Sequence, residues 1–359
     1  MPQLKDHLNA LYRVNLDARS RQGFMRLDMN EAVPGLPEQF VKDALSGIGR
    51  EFLATYPEYG SLLGKIALHN GIEADNICLS NGSDAAIKYI FDAYISPGDR
   101  VLLTNPTFAM YPVYCRIFNA PEVAIEYWDD LSFPATEFKR KLSDGIKLAV
   151  LVNPNNPTGS VVGEEALTRI MEEAESNDVL LVVDEAYFYF YHRTVISRIS
   201  RFKNLIVLRT FSKLCAIAAL RLGYAAACPE IITNLKRVKP TFDVNALAVR
   251  VAERLLDEPN IMNSLVGSME DGKRHLLKRL TAEGFECRGG HANFVLINCS
   301  GRVHEVMRAL EHKKILVGGG FGQAFLKNYI RVTVGNKEMM EVFCRTFLDI
   351  WKSTRAEAS

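Results

Sequence analysis

The 359-residue sequence lacks the features of nucleic-acid-binding, membrane and secreted proteins. Its formal net charge is +1 and only 24% of its residues are charged, so it has no large field of one sign to attract nucleic acid or an anionic membrane. No apolar stretch approaches the roughly 18 residues of a membrane span, and the N-terminus has no apolar signal-peptide core. These absences predict a cytoplasmic protein with small-molecule partners and neither a nucleic-acid nor a membrane partner.

Cysteine and histidine occur, but not in the spacings of disulfide frameworks or metal sites. The seven cysteines are scattered and contain no CxxC pair. Their odd number fits reduced intracellular thiols better than a disulfide framework. The histidines lack HExxH-type spacing, so we predict no bound metal.

The apolar runs between about residues 80 and 228 predict an α/β region. Short runs without strict alternation are separated by segments of helical period, which is typical of strands buried on both faces of a parallel sheet. The predicted strands are Arg100–Thr104, Leu148–Asn153, Val179–Asp184, Leu205–Arg209 and Leu222–Ala227, and the predicted helices start at Ser83 and Glu164.

After residue 244 the pattern changes to two long amphipathic helices, three short strands and a helix that begins at Lys337. A chain of this length is too long for one simple core. We therefore expect an N-terminal arm and part of a small domain at residues 1–40, a large α/β domain at 41–245, and a smaller α+β domain at 246–359. The sequence has no internal repeat or low-complexity linker, so the two domains are expected to pack closely.

Lys213 ends an apolar run that begins at Val207. Burying an ammonium group is costly unless the group is paired or used covalently. Lysines with a lowered pKa form Schiff bases with carbonyl compounds, and such a lysine holds the aldehyde of pyridoxal phosphate in enzymes that depend on it. Lys213 is therefore a candidate covalent catalyst, although an isolated Ser-Lys pair is usually solvated surface.

Polar motifs follow three of the predicted strands, and a fourth motif starts a helix. They are Asn153–Gly159, Asp184–Tyr187, Ser212-Lys213 and Gly82-Ser83-Asp84. Each alone could be a proline-stiffened turn or an ordinary helix start. Ligands of open α/β sheets bind outside the carboxyl ends of the strands, and helix N-termini hold anions. The four motifs together therefore predict one crevice.

These motifs give the chain a resemblance to fold-type I, pyridoxal-phosphate-dependent aminotransferases of the class I/II group, and within it to histidinol-phosphate aminotransferases. The matching motifs are Leu27–Glu31, Tyr56-Pro57, Gly82–Asp84, Pro106–Tyr111, Asn153–Gly159, Asp184–Tyr187, Thr210–Lys213, Arg221–Tyr224 and Ile330–Gly335. The resemblance implies a mostly parallel central sheet with helices on both faces and a smaller α+β domain. It also implies pyridoxal 5′-phosphate as cofactor, an amino donor and a 2-oxo acid as substrates, and glutamate with 2-oxoglutarate as one couple.

The resemblance further implies roles for individual residues around the cofactor ring. Lys213 would bind the cofactor covalently and shuttle the proton between the substrate Cα and the cofactor. Asp184 would pair with the pyridine nitrogen. Asn156 and Tyr187 would hydrogen-bond the phenolate oxygen, and Tyr111 would stack on the ring face.

The remaining implied roles concern the phosphate and the substrate. The phosphate would be held by Ser83, Asp84, Ser212 and Arg221, with Tyr56 reaching it from a second subunit. The active protein is therefore expected to be a homodimer with shared sites. Arg331 would clamp a substrate carboxylate with its bidentate fork, and Asn30 is assigned to the substrate site.

One position departs from histidinol-phosphate aminotransferases. In those enzymes the strand equivalent to Ile315–Val317 is usually followed by an arginine that helps to hold the distal anion, whereas this chain has Gly318-Gly319-Gly320. Candidates for the missing charge are Lys327, Arg19, Arg21 and Arg26.

Three other functions stay open. The chain could be an aminotransferase for another amino acid, or a decarboxylase of the phosphothreonine type that uses the same lysine. An effector-sensing domain of a regulator is a weaker alternative, because it leaves a complete set of chemical residues unexplained.

Overall fold

The structure is a computed structural model that describes residues 2–9, 11 and 20–356. Its strands are β1 (Met25–Leu27), β2 (Ile77–Ser80), β3 (Arg100–Asn105), β4 (Glu122–Glu126), β5 (Ile146–Val152), β6 (Leu180–Asp184), β7 (Leu205–Thr210), β8 (Gly223–Ala227), β9 (Cys287–Arg288), β10 (Phe294–Asn298), β11 (Ile315–Gly319) and β12 (Tyr329–Thr333). Its α-helices are α1 (Glu38–Leu45), α2 (Arg50–Ala54), α3 (Gly60–Asn70), α4 (Ser83–Tyr94), α5 (Met110–Ile117), α6 (Ala135–Lys141), α7 (Glu164–Ser176), α8 (Pro229–Val238), α9 (Ala246–Asp257), α10 (Pro259–Ala282), α11 (Val303–His312) and α12 (Lys337–Ala356).

Seven strands form a mixed, mostly parallel sheet in the order β2-β8-β7-β6-β5-β3-β4. Only β8 runs antiparallel to its neighbours β2 and β7. The predicted α/β class with a mostly parallel central sheet is confirmed. The five strands predicted from apolar runs all belong to this sheet, whereas β2 and β4 were not predicted.

Helices cover both faces of this sheet, and alternate strand residues face each layer. In β5, Ala149 and Leu151 belong to a core shared with α3, α7 and α9, whereas Leu148 and Val150 belong to a second core shared with α4, α5 and α8. This two-sided burial explains why β5, β6 and β7 read as continuous apolar runs in the sequence. It also places their carboxyl ends at one edge, where polar loops can meet.

A second, five-stranded sheet has the order β1-β11-β12-β10-β9. The N-terminal strand β1 pairs in parallel with β11, while the other pairs are antiparallel. Side chains of α10, α11 and α12 form its apolar core, including Leu276, Leu310 and Phe343. The predicted strands at residues 294–298, 315–317 and 330–334 correspond to β10, β11 and β12, but β1 was not predicted.

The helix α9 begins just after the predicted boundary at residue 245, and its apolar side chains Val249, Ala252 and Leu255 lie in the core of the larger sheet. The division of the chain into domains at residues 40 and 245 stays a prediction. None of the helices within the described ranges combines the length and the apolar character needed to cross a membrane.

Candidate active site

A cavity of about 230 Å³ opens at the carboxyl ends of β5, β6 and β7. Three polar loops and the start of α4 meet there, as the sequence predicts. The predicted site residues on its wall are Ser83, Asp84, Asn156, Asp184, Tyr187, Ser212, Lys213 and Arg221. A larger cavity of about 430 Å³ lies beside the start of α7 and holds none of the predicted site residues, so volume alone does not identify the site.

Lys213 lies three residues beyond the end of β7 and borders this cavity. Its Nζ donates a hydrogen bond to the backbone oxygen of Met29 at 3.1 Å and lies 5.8 Å from the centroid of the Tyr187 ring. Burial, helped by the charge of Arg331, lowers the pKa of Lys213 to about 8. A substantial neutral fraction near neutral pH makes this amine a nucleophile for an aldehyde.

Asp184 is the last residue of β6 and is 2% exposed. It accepts hydrogen bonds from the Tyr111 hydroxyl at 2.8 Å and from the backbone amide of Ala186 at 3.1 Å. Burial raises its pKa to about 6. Among the described residues no lysine or arginine forms an ion pair with it, so a cationic group in the cavity would satisfy a carboxylate that is costly to bury alone.

Arg221 and the start of α4 form a cup for an anion. The Arg221 guanidinium donates to Ser212 Oγ at 3.2 Å and to Asp84 Oδ2 at 3.3 Å. The helix begins at Ser83, and Gly82 before it has a φ of 77°. This left-handed φ favours glycine, and a Cβ at this position would displace the Arg221 guanidinium. A cation, a hydroxyl group and helix-start amides together favour a phosphate group.

Gly223, at the start of β8, lets α4 begin this close to the sheet. A Cβ there would lie 2.5 Å from the amide nitrogen of Ser83 and 2.9 Å from the backbone oxygen of Arg209. Both are backbone atoms, which cannot move aside by a rotamer change. The segment Arg221–Tyr224 therefore contributes the cation of the anion cup, Arg221, and the glycine that lets α4 approach the sheet, Gly223.

Arg331, on β12, is not on the cavity wall but contacts Asn156, which is. Its guanidinium donates to Asn156 Oδ1 at 2.5 Å and to the backbone oxygen of Asp28 at 2.7 Å. Its Nε is buried and has no hydrogen-bond partner within the described ranges. Gly318 lies opposite on β11, and a Cβ there would be 3.3 Å from Arg331 Nη2. An arginine with unused donor capacity beside the cavity is suited to a carboxylate ligand.

Asn30 does not lie on the cavity wall and is 1% exposed. Its side-chain amide donates to the Tyr187 hydroxyl at 2.8 Å, and its backbone amide donates to Thr333 Oγ1 at 3.0 Å. Tyr187 is itself buried, which raises its pKa to about 12 and keeps the phenol protonated. In the structure Asn30 thus supports Tyr187, and its contact with the substrate stays a prediction.

Tyr111 also has a different place from the one predicted. It is 1% exposed and is not on the cavity wall; its hydroxyl is bonded to Asp184. Phe108, three residues earlier, lines the cavity instead, and the two rings meet edge to face with centroids 6.2 Å apart. Phe108 is therefore the aromatic ring on the cavity wall, and the stacking role of Tyr111 stays a prediction. The motif Pro106–Tyr111 contains both rings, and the sequence alone does not indicate which one faces the cavity.

Tyr56 does not reach the cavity of its own chain. It is 74% exposed and stacks on Phe242, which is 50% exposed, with ring centroids 4.1 Å apart. Leu53, nearby in sequence, is 72% exposed. The chain by itself thus leaves a group of large apolar side chains in solvent.

The side chains that could replace the arginine absent at Gly318 are mostly paired with carboxylates or exposed to solvent. Arg21 donates to Asp28 and, at 3.0 Å, to Glu31 Oε2, and Arg26 Nε lies 3.9 Å from the same Glu31 oxygen. Lys327 is exposed, and Arg19 lies outside the described residues. Glu31 itself lines the cavity, a position that the sequence analysis did not assign.

A family model for class I and II aminotransferases matches residues 28–347. The chain belongs to this aminotransferase family. It is 34% identical over 329 residues to a histidinol-phosphate aminotransferase of Caldanaerobacter subterraneus subsp. tengcongensis, which covers 90% of this chain and 92% of that one. It is 33% identical over 317 residues to a histidinol-phosphate aminotransferase of Thermoanaerobacter sp., covering 87% and 89% of the two chains.

Solved structures of aminotransferases have the same fold as this chain. The histidinol-phosphate aminotransferase of Sinorhizobium meliloti in complex with pyridoxal-5′-phosphate superposes with a TM-score of 0.88 at 20% identity, over 99% of both chains. This likeness establishes the fold. Family membership makes the protein an aminotransferase that depends on pyridoxal phosphate and uses an amino donor and a 2-oxo acid.

The residues present fit this cofactor. The cavity joins an amine whose pKa is lowered, a buried carboxylate without a cationic partner among the described residues, and an anion cup that a Cβ on Gly82 would obstruct. These three groups match an aldehyde, a pyridine nitrogen and a phosphate group. We find no comparable match for a metal, since no three metal-ligating side chains come together in the part of the chain that the structure describes.

Proposed function

We propose that this aminotransferase transfers the amino group of L-histidinol phosphate to 2-oxoglutarate and forms glutamate. The observation that carries the reaction type is the cavity in which Lys213, Asp184 and the Arg221 cup face one space. The similarity to histidinol-phosphate aminotransferases over about nine tenths of the chain supports the choice of donor.

In this proposal the ends of β6 and β7 hold the cofactor. Lys213 binds it covalently, Asp184 pairs with the pyridine nitrogen, and Asn156 and Tyr187 hydrogen-bond the phenolate oxygen. Phe108 covers the ring. When bound in this way, the cofactor draws electrons away from the bonds at the substrate Cα.

The phosphate and the substrates are bound by charge-assisted hydrogen bonds. Arg221, Ser212 and the amides at the start of α4 hold the phosphate of the cofactor, with Asp84 fixing the Arg221 guanidinium. Arg331 holds the α-carboxylate of glutamate through donors that are preorganised by Asn156. Histidinol phosphate has no carboxylate, so Arg331 serves only the second couple.

Lys213 moves the proton during the reaction. Its Nζ would remove the proton from the substrate Cα and hold it for the later proton transfer. The lowered pKa suits this task, because a base works best when its pKa is close to the operating pH.

We also propose that the protein works as a homodimer. The exposed pair Tyr56 and Phe242, with Leu53, is the surface that a second copy would cover. In that dimer Tyr56 reaches the phosphate cup of the partner subunit, which accounts for its distance from the cavity of its own chain.

One observation favours a second donor class, an amino acid without a distal anion. Gly318 stands where an arginine is usual, and the nearby Arg21 is paired with Asp28 and Glu31. Arg21 is thus already neutralised by two carboxylates, and the glycines at the end of β11 leave room for a bulkier or uncharged donor.

The reaction type is tested by product analysis. The protein, loaded with pyridoxal phosphate, is incubated with L-histidinol phosphate and 2-oxoglutarate, and we expect one glutamate per donor consumed. Formation of CO₂ without glutamate, from phosphorylated amino acids, would instead identify a decarboxylase.

A further inference from the structure

Lys273 is a half-buried lysine on α10 for which the proposed reaction has no use. Its Nζ donates to the backbone oxygens of Gly290 and Ala292, at 2.8 and 2.9 Å. Among the described residues no carboxylate forms an ion pair with it. Burial lowers its pKa to about 8. A cation placed in this way bonds two carbonyl groups of one loop and so fixes the shape of that loop.

The position of Lys273 is itself fixed by the residue before it. A Cβ on Gly272 would collide with the backbone oxygen of Gly335 and lie 3.0 Å from the backbone of Asn336. Helix α10 therefore lies directly against the turn that follows β12. The lysine is anchored on a rigid helix rather than on a mobile surface.

The loop that Lys273 holds contacts the Asn153–Gly159 loop of the larger sheet. The amide of His291 donates to the backbone oxygen of Gly159 at 2.7 Å. A Cβ on Gly159 would lie 3.1 Å from the Cα of Gly290, so the two loops meet backbone to backbone. Asn156, whose side chain accepts from Arg331, belongs to this second loop.

The same loop also contacts Asn30, the residue that supports Tyr187. Asn293 donates to the backbone oxygen of Asn30 at 3.0 Å, and Asn30 donates to the Tyr187 hydroxyl at 2.8 Å. Phe294, the next residue, contacts the Tyr187 ring edge to face with centroids 5.7 Å apart. The loop at residues 289–293 thus contacts the Tyr187 group and the loop that carries Asn156.

We propose that Lys273 is a positioning residue, which holds the loop at residues 289–293 so that Tyr187 and the Asn156 loop keep their places at the cofactor. This inference rests on the proposed contacts of Tyr187 and Asn156 with the phenolate oxygen. Those donors favour the negatively charged oxygen and so lower the pH at which the bound cofactor gains its proton. Loosening them raises that pH.

The test is a spectroscopic pH titration of the cofactor-loaded protein without substrate. In Lys273→Met the midpoint of the change in visible absorption is expected to rise by roughly 0.5 to 1 pH unit, the equivalent of one weakened hydrogen bond. Lys278→Met is the control, since Lys278 is an exposed lysine on the same helix. Lys273→Arg, which can still donate to both carbonyl groups, is expected to keep the wild-type midpoint.

An unchanged midpoint in Lys273→Met overturns the proposal, even if the variant melts earlier, because a merely structural lysine would lower stability without moving the titration. An equal shift in Lys278→Met overturns it as well. If Lys273→Met does not fold, Lys273→Gln is judged by the same two outcomes. A wild-type protein that takes up no cofactor would refute the proposed function itself, which keeps the two failures distinct.

Discussion

Burial changes the chemistry of two side chains that line the same cavity. It lowers the pKa of the Lys213 ammonium and raises that of the Asp184 carboxyl group, to about 8 and about 6. Both pKa values move toward the neutral form, because a charge is costly in a site poor in water. A cofactor that is bound covalently by the amine and pairs with the carboxylate removes both costs.

The pKa of Lys213 predicts how cofactor uptake depends on pH. Only the neutral amine attacks an aldehyde, so the rate of uptake by the cofactor-free protein should rise about tenfold per pH unit below about 8 and level off above it. Stopped-flow absorbance after mixing with pyridoxal phosphate measures this rate. Lys213→Ala should fold but form no covalent product. A rate that does not vary between pH 6 and 9 would contradict the assignment of Lys213.

Arg221 gives a second prediction at this scale. Arg221→Ala should weaken cofactor retention by about 1.5–3 kcal/mol, roughly 10- to 150-fold, because a charge-assisted bond to phosphate is lost. The φ of 54° at this position is equally unfavourable for both side chains, so backbone strain does not enter the comparison. Equilibrium dialysis measures retention, with Arg237→Ala on α8 as the control. Equal affinities would remove Arg221 from the cup.

At the scale of elements, the sequence predicted the longer strands that are buried on both faces, but missed β2, whose four residues are all buried. β5, β6 and β7 were found because their apolar runs are continuous, and their ends placed the polar loops correctly. β1 was missed because three residues carry too little periodicity, and β4 because its residues lie at the sheet edge and are mostly exposed. Side-chain direction inside the Pro106–Tyr111 motif depends on where α5 begins, at Met110, which is why the sequence did not indicate that Phe108 lines the cavity.

The contact between β8 and α4 gives a prediction for a single glycine. In Gly223→Ala the new methyl group meets backbone atoms of Ser83 and Arg209, so we expect about 1–3 kcal/mol of destabilisation and weaker cofactor binding. Gly64→Ala, inside α3 and with open space around it, should instead be neutral or stabilising by up to about 1 kcal/mol. Denaturant melts of both variants provide the measurement. Equal stability of the two would show that the start of α4 can shift freely.

At the scale of the whole molecule, the proposed dimer would bring Tyr56 of each subunit to the cavity of the other. The sequence suggested this arrangement only through resemblance, since no pattern in one chain reports the symmetry of an assembly. The exposed Tyr56 and Phe242 rings give it a physical basis in the structure of one chain.

Mixing two inactive variants tests the shared site. Lys213→Ala and Tyr56→Ala homodimers, after subunit exchange, form hybrids in which one of the two sites has both residues intact. Random exchange should therefore restore about a quarter of wild-type activity, the share expected for an isologous dimer with sites built from both subunits. No recovery, with hybrids demonstrated by native mass spectrometry, would place Tyr56 and Lys213 in the same site or in none.

The central claim concerns the donor, and one comparison tests it most directly. The experiment compares kcat/KM, with 2-oxoglutarate as acceptor, for L-histidinol phosphate, phenylalanine, leucine and phosphorylated amino acids. The proposed function predicts the highest value for L-histidinol phosphate in the wild-type protein and a further rise in Gly318→Arg, since a restored charge-assisted contact is worth about 2–3 kcal/mol, or roughly 30- to 150-fold. Preference of the wild-type protein for phenylalanine or leucine over L-histidinol phosphate would contradict it.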